Sequence, residues 1–170
     1  MSKIYQYFVE GECEEKLINA LKSRPIEYLT SGKVMVFNFT NKLITNQRIA
    51  VLNRDTTIIL VYDIDVNKTE ILDKNIEKLR KFGFTKIYHV QSIDNFEDEI
   101  VYSTNLKSIN SLFGTVGTEE LKKEFIHSSN IIKKLDSVDF NKDKLWSRTN
   151  TKEPFKKYST KESLKIIRNK

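Results

Sequence analysis

The feature that most constrains the fold is TIILVY, residues 57–62, a run of apolar and aromatic side chains without a charge. A strand with one face in water alternates polar and apolar residues, whereas a strand covered on both faces is apolar nearly throughout. The run therefore predicts a buried strand in a parallel sheet that carries helices on both sides.

The surrounding pattern supports this prediction, because segments of strand type alternate with amphipathic segments of helical period. Such alternation is typical of an α/β layer fold with right-handed crossovers. We expect a Rossmann-like α/β fold with a sheet of about four mainly parallel strands flanked by helices. The predicted strands are 4–9, 33–39, 57–62 and 86–91, and the predicted helices are 12–22, 41–52 with Asn41 as N-cap, and 69–82 with Thr69 as N-cap.

The pattern changes to helices after residue 91, with a short helix expected after the acidic turn that follows and a longer helix over 118–135. We expect three regions: an α/β domain over 1–100, a helical extension packed on it over 101–150, and a basic C-terminal tail over 151–170. Pro154 marks the expected boundary between the packed body and the tail.

Charge and composition narrow the possible partners and exclude some kinds of site. The net charge is +6, and residues 151–170 hold seven basic and two acidic side chains, so the body is nearly neutral. A basic tail suits a polyanion such as nucleic acid, although it is also typical of a solvated end. One cysteine excludes an internal disulfide and a cysteine-rich zinc site. Without an apolar span or a signal peptide, we expect a cytoplasmic protein with no membrane partner.

Acidic residues follow two of the predicted strands, at the edge of the sheet where α/β proteins bind ligands. Glu10 follows the first strand, and Asp63 and Asp65 follow the third. Neighbouring strands would bring these carboxylates together, and no lysine is expected between them to neutralise their charge. Mg²⁺ prefers such oxygen ligands, so the sequence predicts a cation site here. The alternative is that these acids only cap helices and form turns.

These residues resemble the signature of the Toprim domain, the catalytic module of topoisomerases, bacterial primases and overcoming-lysogenization-defect (OLD) nucleases. The signature is a Glu-Gly pair after the first strand, here Glu10-Gly11, and an Asp-x-Asp after the third, here Asp63 and Asp65. Glu14, four residues beyond Glu10, is similar to the OLD-nuclease branch, in which a further acid follows the fourth strand. Glu97 is our first choice for that acid, and Glu99 is the second.

The resemblance implies a nuclease that depends on Mg²⁺ or Mn²⁺ and hydrolyses phosphodiester bonds of DNA or RNA. It implies catalytic roles for Glu10, Asp63 and Asp65, and metal ligands drawn from Glu10, Glu14, Asp63, Asp65 and Glu97. Small Toprim proteins often serve in defence against phage or mobile elements. The chain has no ATP-binding P-loop, so an OLD-type ATPase would be a separate subunit. Residues 66–68, which follow the Asp-x-Asp, depart from the family pattern.

Basic residues outside this signature are candidates for contacts with nucleic acid. The candidates are Lys68, Lys144, Arg148, Lys156 and Lys157. They also support an alternative function, a catalytically weak or inactive Toprim scaffold that binds nucleic acid or protein through its basic tail. Trp146 and His89 are both expected to be core residues rather than functional ones. A receiver-like phosphotransfer domain is disfavoured, because no lysine ends a late strand.

Overall fold

The computed structural model describes residues 4–150, 152–158 and 160–169 and contains a four-stranded, fully parallel sheet. The order across the sheet is β2-β1-β3-β4. This arrangement confirms the predicted α/β class and its parallel, Rossmann-like sheet. The strands are β1 (Ile4–Val9), β2 (Lys33–Val36), β3 (Thr56–Asp63) and β4 (Ile87–Ser92).

Helices cover both faces of this sheet and form two hydrophobic clusters with it. The helices are α1 (Glu12–Lys22), α2 (Asn46–Ala50), α3 (Glu70–Lys81), α4 (Phe96–Tyr102), α5 (Thr118–His127), α6 (Ile131–Asp136) and α7 (Thr160–Ile167), with short 3-10 turns at Ile109–Leu112 and Phe155–Lys157. Apolar residues of α1 and of α4 to α7 belong to one cluster, and those of α2 and α3 belong to the other. Among the described residues, no helix is long and apolar enough to cross a bilayer.

Strand β3 lies inside the sheet and contributes to both clusters. Ile59 and Val61 pack into the cluster of α1, whereas Ile58, Leu60 and Tyr62 pack into the cluster of α3. Each of these five side chains is at most 2% exposed. Burial of a large apolar side chain contributes about 1.5 to 3 kcal/mol, so the unbroken apolar run is what stabilises a doubly covered strand.

The segment between β2 and α2 differs from its prediction. β2 ends at Val36 rather than at residue 39, because the Asn38 side chain accepts hydrogen bonds from the backbone N–H groups of Thr40 and Asn41 and forms a turn. The prediction of Asn41 as helix cap is wrong, since α2 begins at residue 46 and Thr45 caps it by accepting from the backbone N–H of Arg48. Local side-chain bonding therefore overrides the helical period here.

The single helix predicted over 118–135 is two helices, α5 and α6. The chain breaks between them, and Asn130 caps α6 by accepting from the backbone N–H of Lys133 at 2.9 Å. The predicted inward residues are nevertheless all buried in one cluster: Leu121, Phe125, Ile132 and Leu135. The Ser-Ser-Asn sequence at 128–130 is the local signal that marks the break.

The packed body continues past Pro154, because α7 lies along the outer edge of β4. The hydroxyl of Thr160 accepts from the Gln91 backbone N–H at 3.0 Å, and that of Ser163 accepts from the His89 N–H at 2.9 Å. These N–H groups would otherwise form an open sheet edge. Residues 151, 159 and 170 of the predicted tail lie outside the described residues.

Buried polar and aromatic groups also fix residues 155–158, which precede α7, to the sheet. The Gln91 amide donates to the Tyr62 hydroxyl and to the backbone oxygen of Phe155, both at 3.1 Å. The His89 ring stacks on Tyr158 with centroids 4.3 Å apart, and burial lowers the pKa of His89 to about 4. His89 is therefore neutral at pH 7 and is a core residue, as expected.

We predict that Thr160→Val lowers the free energy of unfolding by about 1 to 3 kcal/mol, because it leaves the buried Gln91 N–H without its acceptor while keeping the side-chain shape. Urea unfolding followed by circular dichroism measures this change. Lys161→Ala, at an exposed neighbour on the same helix, is the control and should change stability by less than about 0.5 kcal/mol. Equal stabilities of the two variants would contradict a covering role for the hydroxyl.

Candidate functional site

The strand order places a topological switch point between β1 and β3. From β1 the chain passes through α1 to β2 on one side, and it then crosses to β3 on the other side of β1. Val9 pairs with Val61, so Glu10 and Asp63 emerge at neighbouring carboxyl ends. Ligands of open α/β sheets bind in the crevice at such a point.

A cavity of about 520 Å³ opens at this crevice, and we call it the acid pocket. It brings together four of the five predicted metal ligands, whereas Asp65 is exposed and lies outside the lining. Two lysines of α5 also reach it. The charged lining residues are Glu10, Glu12, Glu14, Asp63, Glu97, Glu119, Lys122 and Lys123.

Glu10 is held in the pocket as a carboxyl group with an elevated proton affinity. Burial, together with the charges of Glu14 and Asp65, raises the pKa of Glu10 to about 7. Hydrogen bonds from the Thr40 hydroxyl, at 2.8 Å, and from the Asp63 backbone N–H oppose this rise. The carboxyl is thus oriented by the protein and titrates near neutral pH.

The pKa of Asp63 is raised more strongly than that of Glu10. Burial raises the pKa of Asp63 to about 8, with contributions from the charges of Glu10 and Glu14, while the Phe96 backbone N–H opposes the rise. Its Oδ1 atom is buried and has no hydrogen-bond partner among the described residues. This oxygen therefore has a capacity to accept hydrogen bonds or a cation that no described residue uses.

Glu14 has a structural role as well as a place in the pocket. It lies three residues after Gly11, the N-cap of α1, which is the position of the acid in a capping box, and the backbone N–H groups of Glu14 itself and of Gly11 lower the pKa of its carboxylate. A Cβ atom on Gly11 would lie 3.0 Å from Glu14 Oε2, so glycine leaves room for this carboxylate. Burial and the charge of Glu97 raise the pKa of Glu14, and Lys122 opposes the rise.

The expectation that no lysine lies near the acids is wrong. Lys122 and Lys123 come from α5, in the helical extension, and line the pocket more than 100 residues beyond Glu10 in the chain. Their approach depends on the packing of α5 against α1, which local patterns do not encode.

Burial and the nearby carboxylates raise the pKa of Cys13 to about 12, so its thiol is not a nucleophile.

The fit of a metal ion is partial. Among the residues that the structure describes, no group of three or more histidine, cysteine, aspartate or glutamate side chains is arranged to hold a metal ion. Carboxylate oxygens and the unpartnered Asp63 Oδ1 are nevertheless suitable for Mg²⁺. Mg²⁺ often takes only one or two protein carboxylates together with waters and substrate phosphates. The pocket therefore suits an ion that is coordinated partly by protein carboxylates and partly by water and substrate, rather than an ion coordinated by all five predicted acids.

Glu99, the second choice for the acid after the fourth strand, has an internal role instead. It is fully buried and accepts from the backbone N–H groups of Ile93 and Trp146. Arg148 completes the arrangement with an ion pair of 2.6 Å to Glu99 and a hydrogen bond to the Ile93 oxygen. This pair anchors Trp146, which is 2% exposed and is a core residue as expected.

None of the candidates for contact with nucleic acid lines the acid pocket. Lys68, Lys144 and Lys156 are exposed, and Lys157 forms an ion pair with Asp73 at 2.8 Å. Arg148 and Lys156 instead line a second cavity of about 880 Å³ between residues 146–150 and α7. We call this cavity the basic pocket.

We predict that the stability of the protein falls between about pH 6.5 and about pH 8 because of Asp63. In this range the unfolded state has an ionised Asp63, whereas the folded state still binds its proton, so the free energy of unfolding decreases as pH rises. The free energy of unfolding is measured by urea unfolding at about pH 6.5 and at about pH 8. The decrease between the two pH values should be smaller by about 1 to 2 kcal/mol in Asp63→Asn than in the unchanged protein. An unchanged slope in that variant would contradict the raised pKa. The control is Asp55→Asn, at an exposed residue immediately before the same strand begins.

We also predict that Arg148→Met lowers the free energy of unfolding by about 3 kcal/mol, because it leaves the buried Glu99 carboxylate without its cation. Adding Glu99→Gln should recover part of this loss, which urea unfolding of the single and double variants measures. Arg54→Met, at an exposed loop residue, is the control. If Arg148→Met is as stable as this control, the ion pair does not stabilise the fold.

Comparisons of the chain with protein-family models, with curated proteins and with solved structures found no match. The resemblance to the Toprim domain therefore stays a prediction that depends on the residues of the acid pocket.

Proposed function

We propose that the chain is a metal-dependent nuclease that hydrolyses phosphodiester bonds of DNA or RNA. The observation that carries this proposal is the pair Glu10 and Asp63. They are two half-buried carboxyl groups at adjacent strand ends, both with raised pKa values, and one has a buried oxygen without a hydrogen-bond partner among the described residues. Groups perturbed in this way concentrate at functional sites.

Electrostatics explains why a divalent cation is the expected cofactor. The charge of Glu10 raises the pKa of Asp63, and the charges of Glu14 and Asp65 raise the pKa of Glu10, so at neutral pH these acids need either protons or a cation. Mg²⁺, or Mn²⁺ in its place, would be held by Glu10 and Asp63. A bound ion would polarise the phosphodiester and lower the pKa of the attacking water.

The side chains of the pocket have separable roles in this proposal. The Thr40 hydroxyl orients Glu10 through their 2.8 Å hydrogen bond. Lys122 and Lys123 supply positive charge for the phosphate groups of the substrate. Glu97 is available at the wall, and Asp65 lies close enough to raise the pKa of Glu10 from outside the lining.

The resemblance of Glu10-Gly11 and Asp63-x-Asp65 to the Toprim signature supports the same activity. It also supports a role in defence against phage or mobile elements, and a separate ATPase subunit as a partner. These two points depend on the resemblance alone.

The test is cleavage of single-stranded DNA, double-stranded DNA and RNA by the purified chain with Mg²⁺ or Mn²⁺. Asp63→Asn and Glu10→Gln should each reduce the rate of cleavage by at least about 100-fold, because each removes a metal-ligating charge. Asp55→Asn is the matched control and should cleave as the unchanged protein does. Cleavage by Asp63→Asn at the control rate would overturn the proposal.

Metal binding is measured separately from cleavage by the midpoint of thermal unfolding at about pH 8. Mg²⁺ should raise the midpoint of the unchanged protein and of Asp55→Asn but not that of Asp63→Asn. A shift common to all three proteins would mean that the ion binds elsewhere.

A second candidate function is a Toprim scaffold that binds nucleic acid without cutting it. The absence of a three-residue metal group from the described part of the chain favours it, as does the separate basic pocket. In that case nucleic acid would bind equally well with a chelator present, and Asp63→Asn would leave its affinity unchanged.

A further inference from the structure

The charged side chains that line the basic pocket are nearly all positive. The pocket lies between the segment 146–150, α7 and Tyr28, and Asp143 is the one carboxylate among its lining residues. Asp143 Oδ1 accepts from the Tyr28 hydroxyl at 2.8 Å, so part of its charge is used within the protein. The basic lining residues are Arg148, Lys156, Lys161, Lys165 and Arg168.

Arg168 is held in place without a carboxylate partner. Its Nη2 atom donates to the backbone oxygens of Leu145 at 2.7 Å and Asp143 at 3.2 Å, and the guanidinium lies 5.5 Å from the centre of the Tyr28 ring. No ion pair joins it to an acid within the described residues. The chain thus positions a positive charge at the wall of the pocket without an ion pair among the described residues.

Three hydrogen-bond donors of the lining residues have no acceptor. They are Arg168 Nε, Trp146 Nε1 and Asn150 Nδ2, and each is a buried atom without a partner among the described residues. Leaving a buried donor unpaired costs about 1 to 3 kcal/mol. These donors lie behind the wall of the cavity, since each has almost no accessible surface, so the ligand class follows from the cationic side chains of the lining, which favour an anion rich in acceptors.

The size and walls of the cavity narrow the ligand class further. A volume of about 880 Å³ exceeds what an inorganic anion fills and lies in the range of organic-ligand sites. Tyr28 and Tyr158 are partly exposed aromatic walls. His89 already stacks on Tyr158 and Arg168 lies over Tyr28, so a planar ring would lie against the parts of these side chains that remain exposed.

Two lysines of the lining are available to an anion. Lys161 forms none of the described ion pairs, and the Nζ atom of Lys156 lies 4.0 Å from Glu153 Oε1, at the outer limit of an ion pair.

We propose that the basic pocket binds the phosphate monoester of a nucleoside. Its phosphate lies against Arg168, Lys156 and Lys161, and its base lies against the aromatic wall. The source is either a free nucleotide or the phosphorylated end of a nucleic acid strand. This site uses none of the carboxylates of the acid pocket, so it does not depend on the proposed cleavage.

The chain provides its own probe, because Trp146 is its single tryptophan and lines the pocket. Adenosine monophosphate, titrated with a chelator present, should change the tryptophan fluorescence saturably and release heat in calorimetry. Adenosine and inorganic phosphate should each bind at least about tenfold more weakly, because each lacks half of the recognised groups. The absence of both a fluorescence change and heat up to about 10 mM adenosine monophosphate would overturn the proposal, and so would equally tight binding of inorganic phosphate.

Variants locate the site. Lys156→Gln combined with Lys161→Gln should weaken binding of adenosine monophosphate by at least about tenfold, whereas Lys133→Gln, on an exposed face of α6, should leave it unchanged. Equal affinity of these variants would overturn the assignment to this pocket.

A 5′-phosphorylated dinucleotide distinguishes the two sources. Tighter binding than the mononucleotide assigns the pocket to a strand end, and equal or weaker binding assigns it to a free nucleotide. The unphosphorylated dinucleotide should bind at least about tenfold more weakly than the phosphorylated one, and equal binding of the two would overturn the role of the phosphate.

Discussion

The exclusion of water from both faces of β3 is the constraint on which the rest of the structure depends. Seven consecutive residues of this strand, from Thr56 to Tyr62, are buried. Helices must therefore cover both faces, and polar side chains can leave the middle of the sheet only where its strands end. Asp63 is the first residue of β3 that is not fully buried, and its position beside Glu10 follows from the parallel pairing of β3 with β1. The requirements of the core thus bring the two carboxyl groups together.

The sequence was sufficient to predict features that repeat locally. The four strands, α1, α3 and the burial of the inward residues of α5 and α6 follow from apolar runs and periodicity. One further rule, that acids at the carboxyl ends of parallel strands share an edge of the sheet, predicts that the acids meet at one pocket. The residues that do so are Glu10, Glu14, Asp63 and Glu97.

Features that depend on contacts between distant segments could not be predicted in this way. Lys122 reaches the acids through packing of α5 on α1, and Glu99 meets Arg148 across 49 positions of the chain. Nothing next to Glu99 in the sequence distinguishes it from Glu97, although one is a buried ion-pair partner and the other lines a pocket. The break before Asn130 had a local signal, which the apolar periodicity concealed.

The hydroxyl groups of α7 have a consequence for self-association. Because Thr160 and Ser163 occupy the outward N–H groups of β4, another strand cannot pair there without displacing the helix. The other border of the sheet is β2, which has only four residues. Short edge strands are poor templates for intermolecular pairing. The chain is therefore protected against sheet-to-sheet aggregation while α7 stays docked, and losing the C-terminal residues would expose a template that the folded protein conceals.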